Sequence, residues 1–277
     1  MITKCIKTII LAFSVYLLLQ PSFAAAANDF KPIDMSNFFG RHKSASFVLY
    51  NCATDKYYIH NSEYVGKRYS PCSSFKILNS LIGLETGVIK NENHVIEWDG
   101  KDGRLKIWNQ DHTLASAIKN SVVWYYQTLA KSVGEKRMKK FVEAAEYGNM
   151  DISGGLTKFW LHGSEGTLKI SALEQVEFLK KFVDEKLPFS KKNIRIVKKI
   201  IELQAGENYS LSGKTGSGME NGRHVCGWFV GTVKTTKTVY VFATLIAADL
   251  KTEDSPALGS VAKKITMNIL KSMEIIK

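Results

Sequence analysis

The sequence predicts an α+β fold: a central antiparallel sheet built from N- and C-terminal strands, flanked by helices, with an inserted mostly helical region. Three observations carry that expectation. Runs of β-forming residues lie near both ends, helical periodicity fills the middle, and 45% of the 277 residues are hydrophobic, enough for a substantial core. No Pro/Gly-rich run or repeat breaks the chain.

The first segment is set apart from the fold. Lys4 and Lys7 make a basic start, Thr8 to Leu19 is apolar, and Pro21 to Ala27 ends in small residues. Residues 1–27 therefore read as a cleavable signal peptide, with Asn28 first in the mature chain and a cut after Ala26 as the alternative. The apolar stretch is shorter than the roughly 20 residues a membrane span needs. Export across the inner membrane to the periplasm is expected, without stable membrane insertion.

Residues 28–277 read as one unit, with the sheet from about 28–68 and 205–277 and the helical region from about 69–204. Ala45–Asn51 and Lys56–His60 are rich in Val, Phe, Tyr and Ile around a polar turn, which predicts a hairpin. Met138, Phe141, Val142 and Ala145 follow helical spacing. Ser171 and Glu174 form a capping box ahead of Leu173, Val176, Leu179 and Phe182. His224–Val233 and Thr238–Ile246 predict a second hairpin around Lys234–Lys237. Ser255-Pro256 then opens a last helix with Val261, Ile265, Ile269 and Met273 along one side. A cleft between sheet and helices is where a small-molecule site would form.

Composition narrows the function. The formal charge is +12, or +10 once the leader and its two lysines are removed. The lysines spread over segments such as Lys136–Lys140 and Lys191–Lys199, so they read as solvated helix faces and not as a nucleic-acid surface. Cys52, Cys72 and Cys226 survive cleavage, an odd number that leaves at least one free thiol or an intermolecular bond. A Cys52–Cys72 bridge is open. None of the three has metal-ligand spacing, so no metal is expected.

The chemistry begins with a serine and a base. A serine hydroxyl attacks only when a neighbour removes its proton, and S-x-x-K on a helix puts an amine beside the hydroxyl. The pattern occurs at Ser73–Lys76, Ser116–Lys119 and Ser260–Lys263. Only Ser73 follows a helix-opening proline, Pro71, and precedes an apolar run, Phe75 to Ile82, that would bury its lysine. Burial disfavours the ammonium and frees the amine to act as a base or to add to carbon dioxide. Lys119 and Lys263 read as surface residues.

Two further motifs follow in order. Ser121-Val122-Val123 precedes the aromatic run Trp124-Tyr125-Tyr126. Lys214-Thr215-Gly216, the chain's one K-T-G, lies between Gly213 and Gly218. Small residues there let a substrate backbone approach, while Lys and Thr bind a carboxylate.

Together with Tyr147-Gly148-Asn149, this ordered set resembles the class D β-lactamases. Tyr69-Ser70-Pro71, Trp108 to Leu114, Phe159-Trp160-Leu161, Lys169-Ile170-Ser171 and Gly227 to Gly231 also match, so the resemblance covers almost all of the mature chain. It implies the penicillin-recognising serine enzyme fold and hydrolysis of small-molecule β-lactams. Ser73 would be the nucleophile. Lys76 would carry a carboxyl group on Nζ (N6-carboxylysine) as general base, with carbon dioxide or bicarbonate the sole accessory and no other cofactor. Trp160 would donate its indole N–H to that group, and Phe75, Val123 and Leu161 would line its pocket. Ser121 would pass a proton to the lactam nitrogen near Lys214. Lys214, Thr215 and Gly216 would bind substrate, with the backbone N–H groups of Ser73 and Ser217 as oxyanion hole. Tyr147 and Asn149 would shape a loop. The histidines, His112 included, show no nucleophile partner.

Three departures stand out. The family's carboxylate-binding arginine is missing from Gly259 to Lys264, where Lys263 or Lys264 would replace it without the bidentate fork. Leu161 to Thr167 is longer than expected. Cys72 stands beside the nucleophile where a small apolar residue is usual. The alternatives are a β-lactam-sensing receptor domain and a transpeptidase, both of which stay acylated; the cleavable leader speaks against the first and Val123 against the second.

Overall fold

The computed structural model describes residues 30–163, 165–247 and 257–277. The leader and the Ser255-Pro256 helix start lie outside these residues.

The strands are β1 (Phe30–Pro32), β2 (Ala45–Asn51), β3 (Lys56–His60), β4 (Val95–Ile96), β5 (His112–Thr113), β6 (Glu202–Ala205), β7 (Tyr209–Glu220), β8 (Arg223–Thr235) and β9 (Val239–Ala247). Seven form the main sheet in the order β1-β3-β2-β9-β8-β7-β6. The two ends of the chain meet where β2 pairs antiparallel with β9, Val48 opposite Ala243. Both predicted hairpins are present.

One pairing departs from the antiparallel expectation. β1 runs parallel to β3, Phe30 opposite Tyr57. The intervening α1 (Ser36–Phe39) and β2 separate the two strands, so no hairpin turn forces them antiparallel. The main sheet resumes at Glu202, a little before the boundary at 205, and β4–β5 adds a second small sheet inside the helical region. These strands have two to four residues, too few to show alternation.

The sheet is buried on both faces, which is why β2 and β9 read as nearly unbroken apolar runs. Period-two alternation sorts the side chains. Phe47, Leu49, Phe229 and Phe242 pack under α9 (Leu258–Ser272), with Ile265 and Ile269. Val48, Val230, Val241 and Ala243 face the larger core with the helical region. That region holds α2 (Ser62–Val65), α3 (Lys76–Glu85), α4 (Leu114–Lys119), α5 (Val123–Val133), α6 (Glu135–Ala144), α7 (Ala172–Val183) and α8 (Lys191–Ile200). At its centre, α3 is buried from Lys76 to Leu84. Met138 and Val142 bury the apolar face of α6. Among the described residues no helix is long and apolar enough to cross a membrane.

The capping box on α7 forms as read: the Glu174 N–H donates to Ser171 Oγ at 3.2 Å and the Ser171 N–H to Glu174 Oε2 at 2.9 Å. Replacing Ser171 by alanine orphans a backbone donor at a buried helix start. Ser171→Ala is expected to lower unfolding stability by about 1 kcal/mol, read as a lower denaturant midpoint at unchanged slope. An unchanged midpoint would show the cap to be immaterial.

Candidate active site

Local chain chemistry sets the nucleophile first. Pro71, with φ −66°, leads into a 3-10 turn, Cys72–Phe75, which passes directly into α3 at Lys76. Ser73 thus stands one turn before the helix that carries its base. Lys76 Nζ lies 2.9 Å from Ser73 Oγ, 2.9 Å from Ser121 Oγ and 2.7 Å from the Ser121 carbonyl oxygen. Its residue is 0% exposed. Burial holds the amine well below the ordinary lysine range, and the Lys214 charge pushes the same way.

Burial favours the neutral amine. In that form it has two N–H donors and one lone pair, and the Ser121 carbonyl can only accept. One hydroxyl therefore has to donate to the lone pair, which is the hydrogen bond a general base makes to its nucleophile.

Ser121 occupies a strained position, with φ +55° between α4 and α5. Two indoles hold it there. Trp108 Nε1 donates to the Asn120 carbonyl at 3.0 Å, and Trp124 Nε1 donates to the Trp108 carbonyl at 2.8 Å. Val123, which begins α5, is half-buried, while Val122 beside it is fully buried. The hydroxyl of Ser121 bonds Lys76, whereas Lys214 Nζ bonds the Thr215 carbonyl at 3.0 Å. Lys76 links the two: it bonds the Ser121 hydroxyl and feels the Lys214 charge.

K-T-G lies within β7, one strand in from the sheet edge. β6 pairs with residues up to Ser212, so β7 beyond that point borders the cleft. Gly216 turns toward the nucleophile: a Cβ there would sit 2.7 Å from the Pro71 carbonyl oxygen and 3.3 Å from Ser73 N. Only glycine allows that approach. It brings the strand carrying Ser217 alongside the Ser73 amide. On the opposite face, Ser217 Oγ accepts from Gly259 N–H at 2.9 Å, tying β7 to α9.

Lys214 is 6% exposed, and burial together with the Lys263 charge pulls it down to about 7. Lys263 is not a surface residue: it is half-buried, with Nζ 5.9 Å from the centre of the Phe229 ring. It joins Ile118, Lys119, Lys214 and Thr215 around one groove. Its neighbour Lys264 is exposed, as are Lys119 and Ser260.

Trp160 is fully buried and stacks on Phe75, ring centres 5.6 Å apart. Its Nε1 has no hydrogen-bond partner among the described residues. Leu161 is half-buried. Tyr147 and Asn149 shape the neighbouring loop. Asn149 Oδ1 accepts from Lys169 N–H at 2.8 Å and Nδ2 donates to the Thr167 carbonyl at 2.9 Å. Gly148 has φ +60°, and a Cβ there would lie 2.1 Å from the Lys169 oxygen.

Several residues quoted in the motifs take supporting roles that their sequence did not assign. The Tyr126 ring faces Lys76 Nζ at 5.4 Å, and its hydroxyl bonds Ser80 Oγ at 2.8 Å. Lys169 Nζ donates to Ser70 Oγ and Trp228 Nε1 to the Ser70 carbonyl, clamping the nucleophile turn. Helical spacing from Lys76 to Ser80 was the one available signal. His112 does meet a serine, with Nδ1 2.9 Å from Ser116 Oγ, but that hydroxyl belongs to the capping box of α4. The described residues offer no cluster of three or more acids, histidines or cysteines that could hold a metal.

Residues 45–271 match the penicillin-binding protein transpeptidase domain. The probable β-lactamase YbxI of Bacillus subtilis is 42% identical over 231 residues, 83% of this chain and 81% of that protein. A class D β-lactamase structure from Bacillus subtilis covers 88% of this chain and 97% of its own, at 39% identity and TM-score 0.80. The C-terminal domain of the Bacillus licheniformis BlaR penicillin receptor covers 90% and 98%, at 38% identity and TM-score 0.82. The chain belongs to the penicillin-binding transpeptidase family and, within it, to the class D serine β-lactamases.

The Lys214 value sets a pH dependence. The side chain is cationic below about pH 7 and loses its charge as pH rises through that point. KM for a carboxylate-bearing β-lactam is expected to climb on the alkaline side. Lys214→Arg, which stays charged, should flatten that limb; the same rise in the variant would assign it elsewhere.

Proposed function

We propose that the chain hydrolyses β-lactams through an acyl-enzyme on Ser73, with Lys76 carboxylated on Nζ by carbon dioxide. One observation carries the reading: a fully buried lysine amine shared by the hydroxyls of Ser73 and Ser121. The surroundings fit a captured carboxyl group. Burial favours the neutral amine, the form that adds to carbon dioxide. The orphaned Trp160 N–H, on an indole stacked against Phe75, would be the donor for the resulting anion, and Phe75, Val123 and Leu161 would line its pocket. Bound there, the carbamate supplies an anionic general base.

The chain's own groups do the rest. Ser73 gives up its proton on the Lys76 side and attacks the lactam carbonyl. The Ser73 and Ser217 N–H groups receive the developing negative oxygen. Ser121, hydrogen-bonded to Lys76, hands a proton to the departing nitrogen. Lys214, Thr215 and Gly216 hold the substrate, with Lys263 at the rim in place of the absent arginine. Water then cleaves the ester, its proton taken on the Lys76 side.

The leader supports export: residues 1–27 would be removed and the enzyme released into the periplasm. N-terminal sequencing of the secreted protein should begin at Asn28.

The fit to the BlaR receptor domain supports a second reading, a sensor that stays acylated. Turnover separates the two. The enzyme is expected to hydrolyse a chromogenic cephalosporin repeatedly and faster with added bicarbonate, whereas a sensor traps one equivalent. Lys76→Ala should yield at most a long-lived adduct on Ser73, seen by intact-protein mass spectrometry. Undiminished turnover in Lys76→Ala would refute the base assignment.

A further inference from the structure

We propose that Cys72 and Cys226 form a redox-closable modification site, a disulfide that pins the nucleophile turn to β8. The expected possibility of a Cys52–Cys72 bridge finds no support in the geometry. Instead, Cys72 Sγ lies 3.9 Å from Cys226 Sγ, both residues buried, although 154 positions separate them in sequence. A bond needs the sulfurs about 2.05 Å apart, a shift of roughly 1 Å each.

Three neighbours favour this pair. Gly218 stands opposite Cys226 in the β7–β8 ladder, and a Cβ there would lie 2.6 Å from Cys226 Sγ. The glycine thus leaves the sulfur the space on the side of the sheet that faces the nucleophile turn. The same Cβ would lie 2.9 Å from His162 Cβ, so the imidazole packs into this corner, anchored by Nε2 at 3.4 Å from Glu220 Oε2. Cys72 itself has φ +51°, a strained backbone immediately before Ser73.

The electrostatics assign an order to the two thiols. Cys72 hydrogen-bonds Cys226 and His162 adds its charge, pulling the Cys226 thiol down, while the same contact pushes Cys72 up. His162 is raised in turn by Cys226. Cys226 is therefore the attacking thiolate and Cys72 the resolving thiol.

The co-reactant is a low-molecular-weight disulfide such as oxidised glutathione. Cys226 attacks one of its sulfurs, an S–S bond forms, and a thiolate leaves. Cys72 then attacks Cys226 Sγ, gives its proton to the departing second thiolate, and closes the bridge. The two cysteines are oxidised and the reagent disulfide is reduced to two thiols. Because both sulfurs are shielded from solvent, closure accompanies folding or local opening, and the folded enzyme protects the bond from reductant.

The full chain equilibrated with oxidised glutathione, alkylated without reduction and digested, should give one cross-linked peptide joining Cys72 to Cys226, with Cys52 alkylated. The bridged protein should melt several degrees above its reduced form, and Cys226→Ala should erase that difference. Free Cys72 and Cys226 after equilibration, or a bridge that includes Cys52, overturns the proposal. The peptide map reads the cross-link directly, so it stands or falls independently of β-lactam turnover.

Discussion

A lysine amine sealed from water with no carboxylate beside it is the constraint around which the site is organised. The three polar partners of Lys76 are two hydroxyls and a carbonyl, all neutral. A permanent ammonium in that setting would be an unpaired buried charge, which folded proteins avoid by changing protonation. The first turn of α3, where Lys76 sits, adds the positive end of a helix dipole, and Lys214 adds a full charge nearby. Burial and the Lys214 charge outweigh the opposing pull of Cys72, so the balance runs against the charged form. What remains is a base, or an amine able to become an anion by capturing a carboxyl group.

Keeping that amine dry explains much of the architecture. Apolar helices enclose α3 on the larger core side of the sheet, and aromatic rings of Phe75, Tyr126 and Trp160 close around its beginning. The sheet contributes a glycine-bearing strand instead of bulk, so Gly216 can lie against the Ser73 turn. Trp228, opposite Gly216 in the ladder, reaches past it to bond the Ser70 carbonyl. A small residue and a large one thus divide the work: the first admits backbone to backbone, and the second fixes the distance.

Legibility in the sequence tracked how local the causes were. Both hairpins and the Ser171 cap depend on neighbours within a few positions, and the structure shows them with the same residues. The right S-x-x-K copy was legible because burial is written in the apolar run after Phe75. Very short strands were not, since β1 and β6 exist through pairing with distant partners. Lys263 was misread for a related reason: adjacent Lys264 is exposed, but a helix turns successive residues in different directions, and only α9 docking sends Lys263 over Phe229. The Cys72–Cys226 contact needed the β7–β8 register and the seating of a turn against it, neither of which spacing can reveal.

The lysines of the groove connect recognition to catalysis. Lys214 sits close to neutral pH in its balance between charged and uncharged, because burial and Lys263 oppose its proton. An anionic substrate carboxylate placed there reverses that balance, so binding above pH 7 draws a proton onto Lys214. The proton taken up is matched by the carboxylate that draws it, so the pair forms without adding net positive charge beside Lys76. A guanidinium, charged at every working pH, would bind the carboxylate through a bidentate fork and take up no proton on binding.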